Sequence, residues 1–400
     1  MKHGMGRREF LRQSALASVV AGASLPAAGA LSALAPQVDR VPTHGVSGEE
    51  ATGPLELAER QLDSEEFCLS EYDAIAPALT FSARDAAAAR RWQRTARRRL
   101  VELLGGFPAK RVELRPEVLE AHDFGMYTRE RVVFQTRENL SAIGYLLLPK
   151  SRPGPLPVVI CLPGHGRGVD DIVGNGDDGM PRPERGVSYA KEYALQCVEH
   201  GYAVFALEQL AFGARRDAAA RKAGPTENSC RPAACAALLF GRTMIGWRAW
   251  DAMRAIDYVS TRPEIDASRI ATLGASGGGT TSLFTAALDP RVKVGVVSAY
   301  FNTFRDSIVS ISHCPDNYVP GLLQVMEMYD LSGLVAPRCL FVESGERDRI
   351  FPIQGFRTAV DKAQQVYRAF GVPDRLGHEI HSGAHEFHGV GAFEFLKAWV

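Results

Sequence analysis

From about residue 131 onward, short apolar runs alternate with longer amphipathic ones. Arg131–Thr136 (RVVFQT) and Ala142–Pro149 (AIGYLLLP) have the length and β-branched content of strands, and the polar RENL between them predicts an antiparallel pair. Pro157–Pro163 (PVVICLP) has no polar side chain, the mark of a strand buried on both faces. A helix is predicted over 188–200, a strand over 202–208, a helix over 247–260, a strand over 269–274 and a helix over 277–287. Further strands follow at 292–300, 338–344 and 375–381. Such alternation predicts an α/β fold, a mostly parallel central sheet with helices on both faces. Two stretches, 215–240 and 302–330, break the alternation and read as insertions over the active-site edge of the sheet. Upstream, the run from Ser82 to Gly106 predicts one amphipathic helix, opened by a capping-box-like Ser82 and Asp85 and stopped at Gly105–Gly106. Its six arginines between Arg90 and Arg99 form a solvated face.

The first residues change the picture of what folds. GRREFLR places Arg7 and Arg8 before Phe10 and Leu11, and a weakly apolar run of small residues follows to Ala30. This resembles a twin-arginine export signal, with Ala28-Gly29-Ala30 suited to a signal peptidase. Pro26 interrupts the run, which is too poor for a stable membrane span. The expected organisation is an export signal over 1–30, a flexible linker over 31–53, a helical extension over 54–125 and a catalytic domain over 126–400. The implied location is the periplasm or the exterior, with the twin-arginine machinery as a transient partner. Basic and acidic residues both number 46, and the balance offers nothing to nucleic acid. Seven cysteines show no zinc-finger spacing; Cys161 and Cys339 fall in apolar strands, and Cys230 and Cys235 are close enough in sequence for a disulfide.

The candidate chemistry begins at ATLGASGGGTTSLF, residues 271–284. Gly274-Ala275-Ser276-Gly277-Gly278 fits G-x-S-x-G between a predicted strand and a predicted helix. A sharp turn there lifts the serine hydroxyl to a helix N-terminus, where the N–H of Gly277 can face a developing oxyanion. A serine needs a base oriented by a third group. Asp348 follows the strand-like LFVESG, in the loop at the end where open α/β sheets bind substrates; Glu343 and Glu346 compete for the role. His385 follows the last strand and Gly383-Ala384, with His388 in reserve. A metal site among His378, His381, His385 and His388 is disfavoured, because H-E-x-x-H is absent. The glycine loop Gly164-His165-Gly166-Arg167 should supply the second oxyanion donor, from the N–H of Gly166 or Arg167. Asp251, Asp257 and Asp266 read as helix-end and turn partners, and Glu208 as a structural carboxylate near the pocket.

Together LPGHGRG, WDAMRAIDYVSTRPEIDASRIATLGASGGG, ALDPRVKVGVVSAYF, HCPDNYVPGL and LVAPRCLFVESGERDRIFPI resemble the bacterial α/β-hydrolase superfamily. The branch is the dienelactone-hydrolase-like and acetyl-xylan-esterase-like one. The resemblance covers residue 132 to the C-terminus. It implies the α/β-hydrolase fold, a serine carboxylic-ester hydrolase with catalytic Ser276, Asp348 and His385, an ester of a small molecule or carbohydrate as substrate, and no cofactor or metal. Dienelactone hydrolases proper carry cysteine where this chain has Ser276. A serine peptidase of related fold would need a propeller or lid domain, for which the roughly 100 residues ahead of the sheet are too few. A binding protein on the same scaffold would need none of these groups together.

Overall fold

The computed structural model describes residues 61–400. The expected export signal and linker, and the first residues of the expected extension, lie outside the described residues. No described helix is long and apolar enough to cross a membrane.

Among the described residues nine strands form one sheet: β1 (Glu117–Asp123), β2 (Tyr127–Arg137), β3 (Leu140–Pro149), β4 (Leu156–Leu162), β5 (Ala203–Leu207), β6 (Ile265–Ala275), β7 (Val292–Ser298), β8 (Cys339–Gly345) and β9 (Leu376–His381). Their order is β1-β2-β3-β5-β4-β6-β7-β8-β9. The pairs β1/β2, β2/β3 and β3/β5 are antiparallel; from β5 across to β9 every pair is parallel. Each strand predicted from the apolar runs is present. β4 is buried at all seven positions, as its lack of polar residues requires. β1 lies within the expected helical extension, so the sheet begins before residue 126; its sequence, EVLEAHD, is mostly exposed at the sheet edge.

The chain leaves β4 toward β5 on one side and returns to β6 on the other, so the loops after β4 and β6 diverge at one crevice. The register Leu162↔Gly274 brings the end of β4 level with the turn after β6. Ser298↔Glu343 and Gly345↔His381 carry that level on to β9. Five loop starts, after β4, β6, β7, β8 and β9, are thus aligned along one edge.

Helices Met244–Val259 and Gly277–Leu288 pack against one large cluster with Phe134, Phe205, Tyr258 and Leu283 at its heart. Val159, Tyr193, Val296, Phe341 and Leu396 fill the opposite face of the sheet. Helix Ala86–Leu103 buries Ala89, Gln93, Ala96 and Leu100. Its N-cap is Asp85, which accepts from Ala88 N at 2.8 Å; no capping box with Ser82 forms. The first insertion folds as helices Ala218–Ala223 and Cys230–Leu239. The second winds through a π-turn at Arg305–Val309 and 3-10 turns at Pro315–Asn317, Leu322–Gln324 and Met328–Leu331.

Candidate active site

Ser276 stands between β6 and helix Gly277–Leu288 with φ 57° and ψ −125°. A side chain in that region is strained by roughly 1–3 kcal/mol, so the surroundings must over-determine the turn. They do: Ser276 N donates to Ser298 O and Thr280 N to Ser276 O, both at 3.0 Å. A Cβ at Gly278 would overlap the carbonyl oxygen of Leu162, so only glycine lets the elbow sit against β4. A Cβ at Gly164 would reach 2.8 Å from Ala275 O and 3.2 Å from Ser276 Cβ, which shows how closely the glycine loop approaches the serine.

His385 Nδ1 lies 2.8 Å from Asp348 Oδ2, and the Asp348 side chain is fully enclosed. The other carboxylate oxygen, Oδ1, accepts from Ile350 N at 2.8 Å and Phe351 N at 3.0 Å. Both loops are laced together: Glu346 N donates to His381 O, and Arg347 N to Gly383 O. Tyr189 and Phe351 place their rings 5.7 and 5.9 Å from that of His385, and Phe387 N donates to Tyr189 O at 2.9 Å. Ser276 and His385 line one cleft of about 420 Å³, with His165, Tyr189, Ile311, Ser312, His313, Cys314 and Ile350.

Of the two competing carboxylates, Glu343 is occupied elsewhere. It accepts from Ser298 Oγ at 2.7 Å, His388 N at 2.8 Å and Gly389 N at 3.0 Å, and burial raises its pKa. Glu346 is exposed. His388 turns to Glu379 at 2.9 Å and stacks on His381 with centroids 4.7 Å apart. His381 Nδ1 accepts from Gly383 N at 3.1 Å, so these histidines serve the local loop.

The glycine loop needs one correction. Arg167 N donates to Asp171 Oδ2 at 2.8 Å, and its guanidinium turns away to Asn175 O and Asp177. Arg167 is therefore not an available oxyanion donor, whereas nothing accepts from Gly166 N among the described residues. Gly166 has φ 139°, and a Cβ there would overlap Asp171 Oδ2. Cys230 and Cys235 form no disulfide: all seven cysteines are free, Cys230 being buried and Cys235 exposed on the same helix. Asp251 is not a helix-end residue; it sits mid-helix and pairs with Arg215 at 2.8 Å. Asp257 binds Arg111, Arg254 and Arg291, and Asp266 caps the turn at Ser268 and Arg269. Only the second insertion lines the cleft, through Ile311–Cys314.

Two positioning residues carry no signal in the sequence. Gln209 donates to Pro163 O and accepts from Thr281 Oγ1 at 2.5 Å, tying the glycine loop to the helix behind Ser276. Tyr189 sets its buried hydroxyl against Gly164. Each is a lone polar residue whose partners are distant in the chain.

Glu208 is structural. It accepts from Val169 N and Ala214 N, and burial, reinforced by Asp170, pushes its pKa up to about 8. Arg215 and the two N–H groups oppose that rise without cancelling it. The unfolded chain ionises this carboxyl near 4.5, the native chain near 8, so its contribution to stability is full below about 4.5 and is lost as pH rises to about 8. Glu208→Gln removes the ionisation. The melting temperature of the variant minus that of the parent should increase from pH 5 to pH 8. A difference that stays flat or falls across that range overturns the buried-carboxyl account.

Comparison with known proteins agrees with this fold. The family model described as Abhydrolase family matches residues 59–374. YtaP of Bacillus subtilis (strain 168), provisionally named a hydrolase, is 28% identical over 284 residues, covering 70% of this chain and 89% of YtaP. A solved structure from Bacteroides fragilis, provisionally named an acetyl xylan esterase, superposes with a TM-score of 0.67 at 18% identity, covering 84% of this chain and 85% of that one. The glucuronoyl esterase from Solibacter usitatus does so with a TM-score of 0.58 at 18% identity, covering 81% and 97%. These likenesses establish the α/β-hydrolase fold, and the match across most of the sequence means that the chain belongs to the Abhydrolase family.

Proposed function

We propose that the protein is an exported serine carboxylic-ester hydrolase acting on carbohydrate esters. The observation that carries the reading is the His385–Asp348 hydrogen bond of 2.8 Å, set in the same cleft as a serine on a strained, positive-φ elbow. Binding alone would not repay that strain; a nucleophile does. Ser276 attacks the ester carbonyl while His385 takes its proton. Asp348 holds the imidazole with Nδ1–H toward itself, leaving Nε2 for the serine, and stabilises the imidazolium. The N–H groups of Gly277 and Gly166 face the oxyanion. His385 then protonates the leaving alcohol, and water, activated by the same histidine, releases the acid. Every proton in this cycle moves through His385.

The names of the structural relatives suggest two ester classes, acetyl esters and uronate esters. The cleft favours the first. Ile311 and Ile350 offer apolar wall to a small acyl group. Export by the twin-arginine route is supported by Arg7-Arg8 and the small-residue run to Ala30. One experiment tests both parts: label the periplasmic fraction of an expressing strain with a fluorophosphonate and map the product by mass spectrometry. The expected result is an adduct on Ser276 in a chain beginning near Leu31. Absence of an adduct sinks the serine mechanism, and recovery of only the full-length chain from the cytoplasm sinks export. Hydrolysis of acetylated, feruloylated and methyl-uronate sugars, compared side by side, then assigns the acyl group.

A further inference from the structure

Beside the serine lies a second chemical cluster that the ester mechanism does not use. A ring nitrogen of His165, Cys230 Sγ, Cys314 Sγ and a carboxylate oxygen of Asp316 all lie within 4.8 Å of one another. His165 Nε2 is 3.9 Å from Asp316 Oδ2, and Cys230 Sγ is 3.8 Å from the same oxygen. Four donors around a tetrahedral zinc ion, at about 2.3 Å for sulfur and 2.0–2.2 Å for nitrogen or oxygen, stand roughly 3.3–3.8 Å apart. The separations of 3.8 and 3.9 Å lie close to that requirement, and the remaining ones, up to 4.8 Å, would contract by as much as about 1 Å on binding an ion. The Nε2 atom of His165 is out of contact with solvent and has no hydrogen-bond partner among the described residues. An imidazole nitrogen turned to two sulfurs and a carboxylate, without a hydrogen bond of good geometry, is an arrangement that an ion would complete.

From these donors we infer a closed, zinc-type metal site made of His165, Cys230, Cys314 and Asp316. The buried surroundings fit such an ion. Arg248 is enclosed and donates to Asp316 Oδ2 at 2.5 Å and to Cys230 Sγ at 3.0 Å, and its Nε and Nη2 groups also donate to Leu210 O. It orients two donors from behind, as outer-shell partners of metal sites do. Charge balances as well: Arg248 and Asp316 cancel, and a divalent ion that displaces the two thiol protons leaves the buried net charge at zero. With four protein ligands no position is left open for water, so the site is structural and takes no part in ester hydrolysis.

The ligands come from three separate segments: the glycine loop after β4, the first residue of helix Cys230–Leu239, and the turn before Pro315 with the residue after it. Closing them on one ion clamps the loop that carries Gly166 to the cleft wall that carries His313 and Cys314. The ion would thus hold the oxyanion side of the cleft in register with Ser276.

The test measures metal directly and does not depend on the identity of the nucleophile. Protein produced in zinc-supplemented medium should contain about one zinc per chain and should melt at a lower temperature after dialysis against a strong chelator. Cys314→Ala should lose the metal, and Cys235→Ala, outside the cluster, should keep it. Because loss of metal could follow from misfolding, the chelated parent is also titrated with cobalt(II). A thiolate-to-cobalt charge-transfer band should appear in the parent and weaken in Cys314→Ala protein whose circular dichroism and cooperative melting show that it is folded. A parent chain without stoichiometric zinc and without the cobalt band overturns the proposal. So does denatured parent with two fewer titratable thiols and a Cys230–Cys314 disulfide in its peptide map, for then the sulfurs pair with each other.

Discussion

Ser276→Ala is expected to lower kcat by at least about 10³-fold while the protein stays folded, because nucleophile, base and acid act as a unit and the remainder is only the binding and oxyanion contribution. The backbone at this position adds a second readout. Alanine keeps the Cβ and therefore keeps the strain of φ 57°. Glycine removes it. Ser276→Gly should be as inactive as Ser276→Ala yet melt at a higher temperature, the strain of roughly 1–3 kcal/mol having been released and only partly offset by a freer unfolded chain. Near-normal turnover by folded Ser276→Ala would remove the serine from the mechanism. A glycine variant that melts below the alanine variant would show that the elbow is not strained.

Asp348→Asn should cost about 10⁴-fold in kcat, the loss expected when the group that selects the histidine tautomer is made neutral. The amide can still accept from Ile350 N and Phe351 N through its oxygen, so the loop keeps its anchor. Its NH₂ then faces His385 Nδ1 and favours the tautomer with the proton on Nε2, which cannot accept from serine. Glu346→Gln should leave kcat near that of the parent, since the side chain is exposed. Glu343→Gln is the informative control: it weakens the hold on His388 N and Gly389 N without touching His385. Its effect should fall chiefly on stability. If the severe kinetic loss appears at Glu343 or Glu346 while Asp348→Asn turns over, the acid has been assigned to the wrong residue.

The parts of the fold with strong periodicity were legible from the chain. β4 and the strand-turn-helix around Ser276 announce themselves through apolar runs and glycines whose function is local. β1 was not legible, because an exposed edge strand such as EVLEAHD needs neither alternation nor apolar content; its partner β2 supplies the pairing. The helix cap moved from Ser82 to Asp85 because the side chain nearest the first free N–H groups wins. Asp348 and His385 could be ranked from their loop positions, whereas the loss of Arg167 as a donor could not. That depends on Asp171, four residues away in the short helix Val169–Val173, which the sequence does not announce. The sulfur-rich cluster was hidden for a related reason. Metal motifs are read by spacing, and here the four donors are drawn from residues 165, 230, 314 and 316.

The cleft joins two kinds of backbone. Its floor is the aligned ends of β4, β6, β8 and β9, where a Cβ added at Gly164, Gly274, Gly278 or Gly345 would run into neighbouring backbone. Its outer wall, Ile311 to His313, is borrowed from a stretch of short turns outside the sheet. Heritable change therefore meets very different resistance in the two places. A lineage can diversify residues 311–313, and with them the ester it accepts, at little risk to folding, while the residues that break the bond stay still. In laboratory evolution the same asymmetry makes that three-residue wall the place to randomise and the elbow the place to leave alone.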